Sequence, residues 1–105
     1  MVEIRRYFAF PGRRDELADY MDRVVIPFHR EKGVEVSASL LDREDDDAYI
    51  WIRQFDDVED SEQKYHAIYE DPIWIETMAP IVTQLMDPQR SVITLTKHTQ
   101  ITADQ

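Results

Sequence analysis

The chain carries three histidines, His29, His66 and His98, and an aromatic run from Tyr49 to Phe55 that encloses Arg53. A histidine suits acid–base work near neutral pH. His66 lies between Tyr65 and Ala67, one helical turn before Tyr69 and Glu70. If it points into the gap between helix and sheet, it is the best candidate proton carrier; otherwise it is a boundary histidine. His29, after Phe28, is the second candidate. Its plainer reading is a surface histidine near a helix C-terminus, where positive charge is favoured. His98 sits in a polar tail and is expected to be idle. Tyr49, Trp51 and Arg53 alternate on one face of a strand. They suit a polar–aromatic pocket for a small anionic or aromatic ligand, with Arg53 as charge partner. The same three residues also suit an aromatic dimer interface, with Arg53 paired to a carboxylate. Tyr69 and Trp74 would close the pocket on its helix side, while Arg5, Tyr7, Ser37 and Ser39 join it across the sheet.

Metal chemistry finds little support. There is no cysteine, and no two histidines stand at helical spacing. Asp42, Asp45, Asp46 and Asp47 form an acidic loop, but it lacks the glycine and distant glutamate of a calcium loop. No phosphate-binding glycine loop, nucleophile elbow or zinc-protease motif occurs. Neither metal nor cofactor is expected.

The elements that must position these residues follow from periodicity. Val2 to Phe10 alternates, with Val2, Ile4, Phe8 and Phe10 on one side and Glu3, Arg5, Tyr7 and Ala9 on the other, which predicts a strand. Pro11-Gly12 breaks it. Arg13 to Lys32 reads as a helix with Leu17, Met21, Val24 and Phe28 as its apolar stripe, kinked or split at Pro27, and Gly33 stops it. Val34 to Leu41 and Ala48 to Phe55 are predicted strands joined as an antiparallel hairpin. Asp56 or Asp57 caps a second helix reaching about Tyr69. Pro72 opens a further segment containing Trp74, Met78, Ile81 and Leu85, with Pro80 disturbing its middle. Ser91 to Lys97 is the last strand. The order is β-α-β-β-α-β, an α+β ferredoxin-like domain over residues 1–97 with a tail at 98–105.

Both helices of that topology cover one face of a four-stranded antiparallel sheet. The sequence pattern assigns Val36, Ala38, Ile50, Ile52, Ile93 and Leu95 to the helices. It leaves Tyr49, Trp51, Arg53 and Phe55 on the open face. An exposed aromatic patch of that size calls for a partner, and the simplest is an identical sheet across a two-fold axis. A sheet-to-sheet homodimer, a dimeric α/β barrel, is therefore expected.

The 105 residues are about one domain long. With 22 acids against 12 bases the net charge is −10, which opposes binding to nucleic acid or anionic lipid. No apolar run is long enough to span a membrane. The opening MVEIRRYFAF lacks the apolar stretch of a signal peptide, so a cytoplasmic location is expected.

Several runs, taken in order, resemble the NIPSNAP family within the dimeric α/β-barrel superfamily. They are Tyr7-Phe8-Ala9-Phe10-Pro11-Gly12, Ile26-Pro27-Phe28 before Gly33, Trp51-Ile52-Arg53-Gln54-Phe55-Asp56, and Tyr69-Glu70-Asp71-Pro72-Ile73-Trp74. The resemblance covers about Val2 to Lys97. It implies a ferredoxin-like protomer dimerised through its sheet, and it supplies no catalytic residues. Relatives in the superfamily include cofactor-independent monooxygenases and haem-degrading enzymes. The haem-degrading branch uses an asparagine, and this chain has none. Two functional readings stay open: a small-molecule-binding protein of uncharacterised role, or a cofactor-independent monooxygenase or isomerase acting on a small aromatic or polyketide-like substrate. A structural interaction module is the third and weakest.

Overall fold

The computed structural model describes residues 1–103. Four strands, β1 (Val2–Phe8), β2 (Glu35–Leu41), β3 (Ala48–Gln54) and β4 (Val92–Leu95), form one antiparallel sheet in the order β2-β3-β1-β4. β1 and β3 are therefore central, and the split β-α-β-β-α-β order is the one expected. Among the described residues no helix is long and apolar enough to cross a membrane.

The first helical stretch runs through α1 (Arg14–Tyr20), a π turn (Met21–Val25) and α2 (Ile26–Glu31). Pro27 lies at the start of α2, immediately after that π turn. Its ring would crowd the carbonyl four residues back, and it has no N–H to offer. The chain responds by widening: the Ile26 N–H bonds the Met21 carbonyl five residues back. The second stretch repeats the device. α3 (Val58–Tyr69) is capped by Asp57, whose side chain accepts the Asp60 N–H at 2.7 Å. A second π turn (Trp74–Met78) then precedes Pro80 in α4 (Ala79–Leu85). Gly33 ends the first stretch at φ 86°, a left-handed position that favours glycine. The tail forms a short helix, α5 (Gln100–Ala103), so it is not wholly irregular; positions 104 and 105 lie outside the described residues.

On β3 the faces are the reverse of the sequence reading, while Val36, Ile93 and Leu95 keep the side it assigns them. Tyr49, Trp51, Arg53 and Phe55 are buried beneath the helices, with Leu17, Met21, Val25, Ile68 and Met78. Ile50 and Ile52 point the other way, paired with Arg6 and Ile4 of β1. Two physical reasons produce the inversion. Arg53 meets Glu3 across the β1–β3 pair, so its charge is matched inside rather than hydrated outside. A bulge between Val36 and Ala38 also breaks the alternation of β2: Val36 is buried opposite Arg53, while Ala38 is turned to the open face opposite Ile52. Ile93 and Leu95 do share the helix side, opposite Arg5 and Glu3, but the helices stop short of this edge strand. They are 46% and 65% exposed. The open face carries Ile4, Ile50, Ile52 and, at its margins, Leu40 and Val92, the last two about half exposed; Arg6 interrupts it between Ile50 and Val92 and pairs with Asp42 at 2.6 Å.

Candidate functional site

The charged centre of the molecule lies between sheet and helices. β1 and β3 are paired so that Glu3, Arg5 and Tyr7 stand opposite Arg53, Trp51 and Tyr49. All six therefore leave the sheet on one face. Glu3 and Arg53 have fully buried side chains and pair at 2.6 Å, Arg53 Nη2 to Glu3 Oε1. Arg53 Nε donates to the same oxygen at 3.1 Å, and Nη1 donates to the Tyr69 hydroxyl at 2.7 Å. Arg5 Nε also bonds Glu3 Oε1, and the Tyr65 hydroxyl donates to Glu3 Oε2. One carboxylate thus serves two guanidinium groups. Among the described residues Arg5 finds only the Tyr7 hydroxyl, at 3.2 Å, besides its share of Glu3. Burial pulls the Arg5 guanidinium down, but the neighbouring Tyr7, Tyr69 and Glu3 hold it above its ordinary range.

Aromatic rings close around this centre. The Arg53 guanidinium lies within 5.0–5.8 Å of the ring centroids of Trp51, Phe55, Tyr65 and Tyr69, a cage of cation–π contacts that strengthen as water is excluded. Trp74 reaches it edge-on to Tyr69 at 5.2 Å. The Trp51 indole N–H is buried and finds no acceptor among the described residues. A buried donor without an acceptor is costly and asks for a reason.

His29 is where the sequence reading was furthest off. It is fully buried rather than on the surface, and its ring meets Trp51 edge-on at 5.0 Å. Its tautomer follows from its partners. Arg53 Nη1 can only donate, so the His29 Nε2, 2.9 Å away, accepts; Nδ1 carries the proton and donates to the Val25 carbonyl at 2.8 Å. Burial and the two arginines hold this imidazole neutral, with its pKa pushed down to about 4. Its unfolded value is about 6.5. As pH falls through this window the unfolded chain takes up a proton that the folded one refuses, so stability drops with falling pH. From pH about 7 to about 5, urea unfolding is expected to lose about 2 kcal/mol. His29→Gln should flatten that slope. An unchanged slope would show that other groups carry it.

His66 stands elsewhere. It is exposed and pairs across one helical turn with Glu70, also exposed, at 3.1 Å. It does not enter the helix–sheet gap, because Tyr65 and Tyr69 occupy the inward side of α3. A surface cavity of ≈ 200 Å³ lined by Tyr65, His66, Tyr69 and Glu70 adjoins the cluster there. Of the expected ligand-binding set, Trp51, Arg53, Tyr69 and Trp74 come together with His29, whereas Tyr49 lies at the edge, its hydroxyl 2.6 Å from Ser39. Ser37 is exposed. His98 is exposed too, lining a cavity at the sheet end with Met1 and Gly33. The acidic loop caps itself: Asp42 accepts the Glu44 and Asp45 N–H groups and pairs with Arg6, which lowers its pKa to about 2. No three candidate metal ligands converge among the described residues.

Glu3 was not legible as a site residue. The available signal was positional: in the split order β1 is central, so the polar side of its alternation must lie under a helix or on the open face. An acid there beside Arg5 and opposite the Arg53 strand marks a buried network.

No protein-family model matches the sequence, and no curated protein matches it. Solved structures do. A NIPSNAP family protein from Agrobacterium tumefaciens superposes with TM-score 0.82 at 17% identity, covering 94% of this chain and 92% of that one. A NIPSNAP-like domain protein from Burkholderia xenovorans gives TM-score 0.82 at 19% identity, covering 94% and 84%. SnoaB, a cofactor-independent oxygenase from Streptomyces nogalater, gives TM-score 0.68 at 15% identity, covering 94% of each chain. The identities make this a likeness of fold: the chain carries a ferredoxin-like α+β fold shared with NIPSNAP-domain proteins and with an antibiotic biosynthesis monooxygenase and a cofactor-independent oxygenase.

Proposed function

We propose that this protein is a homodimeric binder of a small organic molecule, taken up between sheet and helices at the Arg5–Glu3–Arg53 centre. One observation carries the reading. A fully buried guanidinium in an aromatic cage, Arg53, and a partly exposed one, Arg5, share a single carboxylate, near an indole N–H that has no acceptor among the described residues. A structural core gains nothing from surplus charge and an orphan donor, since each costs desolvation without return. A binding site gains an acceptor-seeking surface. The partner of the dimer is a second copy, seated on the aliphatic open face around Ile4, Ile50 and Ile52.

Both tryptophans of the chain, Trp51 and Trp74, belong to the cluster, so their indole N–H signals report on it directly. A panel of single-ring and short-chain molecules, charged and neutral, is expected to contain members that move both signals while leaving the Ile50 and Ile52 amides in place. A panel in which none moves either indole would sink the reading.

The second reading is a cofactor-independent oxygenase, favoured by the fold likeness to SnoaB. It needs a base. His29 is the one histidine in the cluster, and its Nε2 lone pair is engaged by Arg53. Binding is therefore the stronger reading. Oxygen uptake with a small aromatic or polyketide-like phenol, without added metal or flavin, would reverse that preference.

A further inference from the structure

We infer that the molecule taken at this site is a small organic monoanion, a carboxylate on an apolar body, held by Arg5 and the Trp51 indole N–H. The inference rests on the binding reading above. Arg53, the charge partner that the sequence suggests, is already engaged: Nε and Nη2 on Glu3, Nη1 on His29 and Tyr69. His29 adds no charge, because its Nδ1 proton goes to Val25 and its Nε2 accepts from Arg53. Two cations and one anion leave a single positive charge in the cluster, and it resides with Arg5, whose side chain is 15% exposed while Glu3 and Arg53 are fully buried. Arg5 and Trp51 are direct cross-strand partners, so a partly exposed cationic side chain and a buried donor without an acceptor among the described residues leave neighbouring positions on the same face of the sheet. Their complement is a group with two adjacent acceptor atoms and one negative charge, which describes a carboxylate. A neutral amide leaves the charge unmatched, and a dianion overshoots it. The apolar body has a seat on the same face: Ile93 lies opposite Arg5 and Leu95 opposite Glu3, both exposed beyond the reach of the helices.

The test is a titration of the full-length labelled protein with benzoate, benzamide and phthalate, following the indole signals. Benzoate is expected to move the Trp51 N–H downfield, as it gains an acceptor, and to bind about tenfold or more tightly than benzamide or phthalate. Arg5→Gln should erase the preference for the acid over the amide, and Arg5→Lys should keep most of it. Arg5→Gln also leaves Glu3 and Arg53 as a matched pair, so its urea midpoint is expected at or above that of the parent. Equal binding of benzoate and benzamide, a phthalate preference, or an Arg5→Gln variant that still prefers the acid would overturn the inference and leave the binding site standing. A Trp51 signal that none of the three moves would remove the site itself.

Discussion

Glu3→Gln is expected to destabilise the fold by about 3–5 kcal/mol, measured as the loss in urea unfolding free energy. Glu3 and Arg53 are fully buried, and Glu3 is the carboxylate that both Arg53 and Arg5 pair with. A glutamine keeps the shape and an acceptor oxygen but removes the charge. Two guanidinium groups, Arg53 opposite position 3 and Arg5 two residues along the same strand, would then lose the one carboxylate between them in a poorly solvated space, where like charges repel strongly. The loss is a large share of the about 5–15 kcal/mol that holds an ordinary domain together. The partner substitution separates charge from packing. Arg53→Met in the Glu3→Gln background should recover part of the loss, because a buried ion pair exchanged for apolar packing is often near neutral, and the two changes should be strongly non-additive. A loss below about 1 kcal/mol for Glu3→Gln would mean that solvent already shares the load and that the centre is wetter than its burial suggests.

The same pair explains where sequence reasoning reached and where it stopped. Element order was legible because period-two runs, Asp57 at a cap and Gly33 at a stop are local signals that tertiary packing did not override. The response to Pro27 and Pro80 was only half legible. A proline announces that the regular ladder fails, but whether the helix bends or widens depends on the neighbouring carbonyls, and here both stretches widen into π turns. Alternation read as apolar-in and polar-out turns β3 the wrong way round. That rule assumes a charged residue has no partner inside. Arg53 has one on β1, 50 positions away in sequence, and nothing local to either strand announces it. His29 was misplaced for the same reason: its burial depends on Arg53 being inside. His66 sits on the helix that supplies Tyr65 and Tyr69, but on the solvent side.

The placement of the aromatic residues of β3 under the helices leaves a dimer the opposite, open face of the sheet. The wild-type chain should be a dimer at micromolar concentration by sedimentation, and Ile52→Asp should raise its dissociation constant at least about a hundredfold. Ile52 is central in the open face, flanked by Ile4 of β1 and Ala38 of β2. A two-fold sheet-to-sheet pairing places this aliphatic surface against itself, so an aspartate there buries two unpaired carboxylates in one interface. The effect on the isolated protomer should be small, because Ile52 is not part of the helix-side core. Tyr49→Phe supplies the contrast. Tyr49 is fully buried under the helices, and its hydroxyl bonds Ser39 within the protomer. Its loss should leave the dimer constant within about threefold, a change of less than about 1 kcal/mol. The opposite result, Ile52→Asp still dimeric and Tyr49→Phe monomeric, would return the interface to the aromatic face. It would also require the helices to leave Trp51 and Arg53, which are now 1% and 0% exposed beneath them.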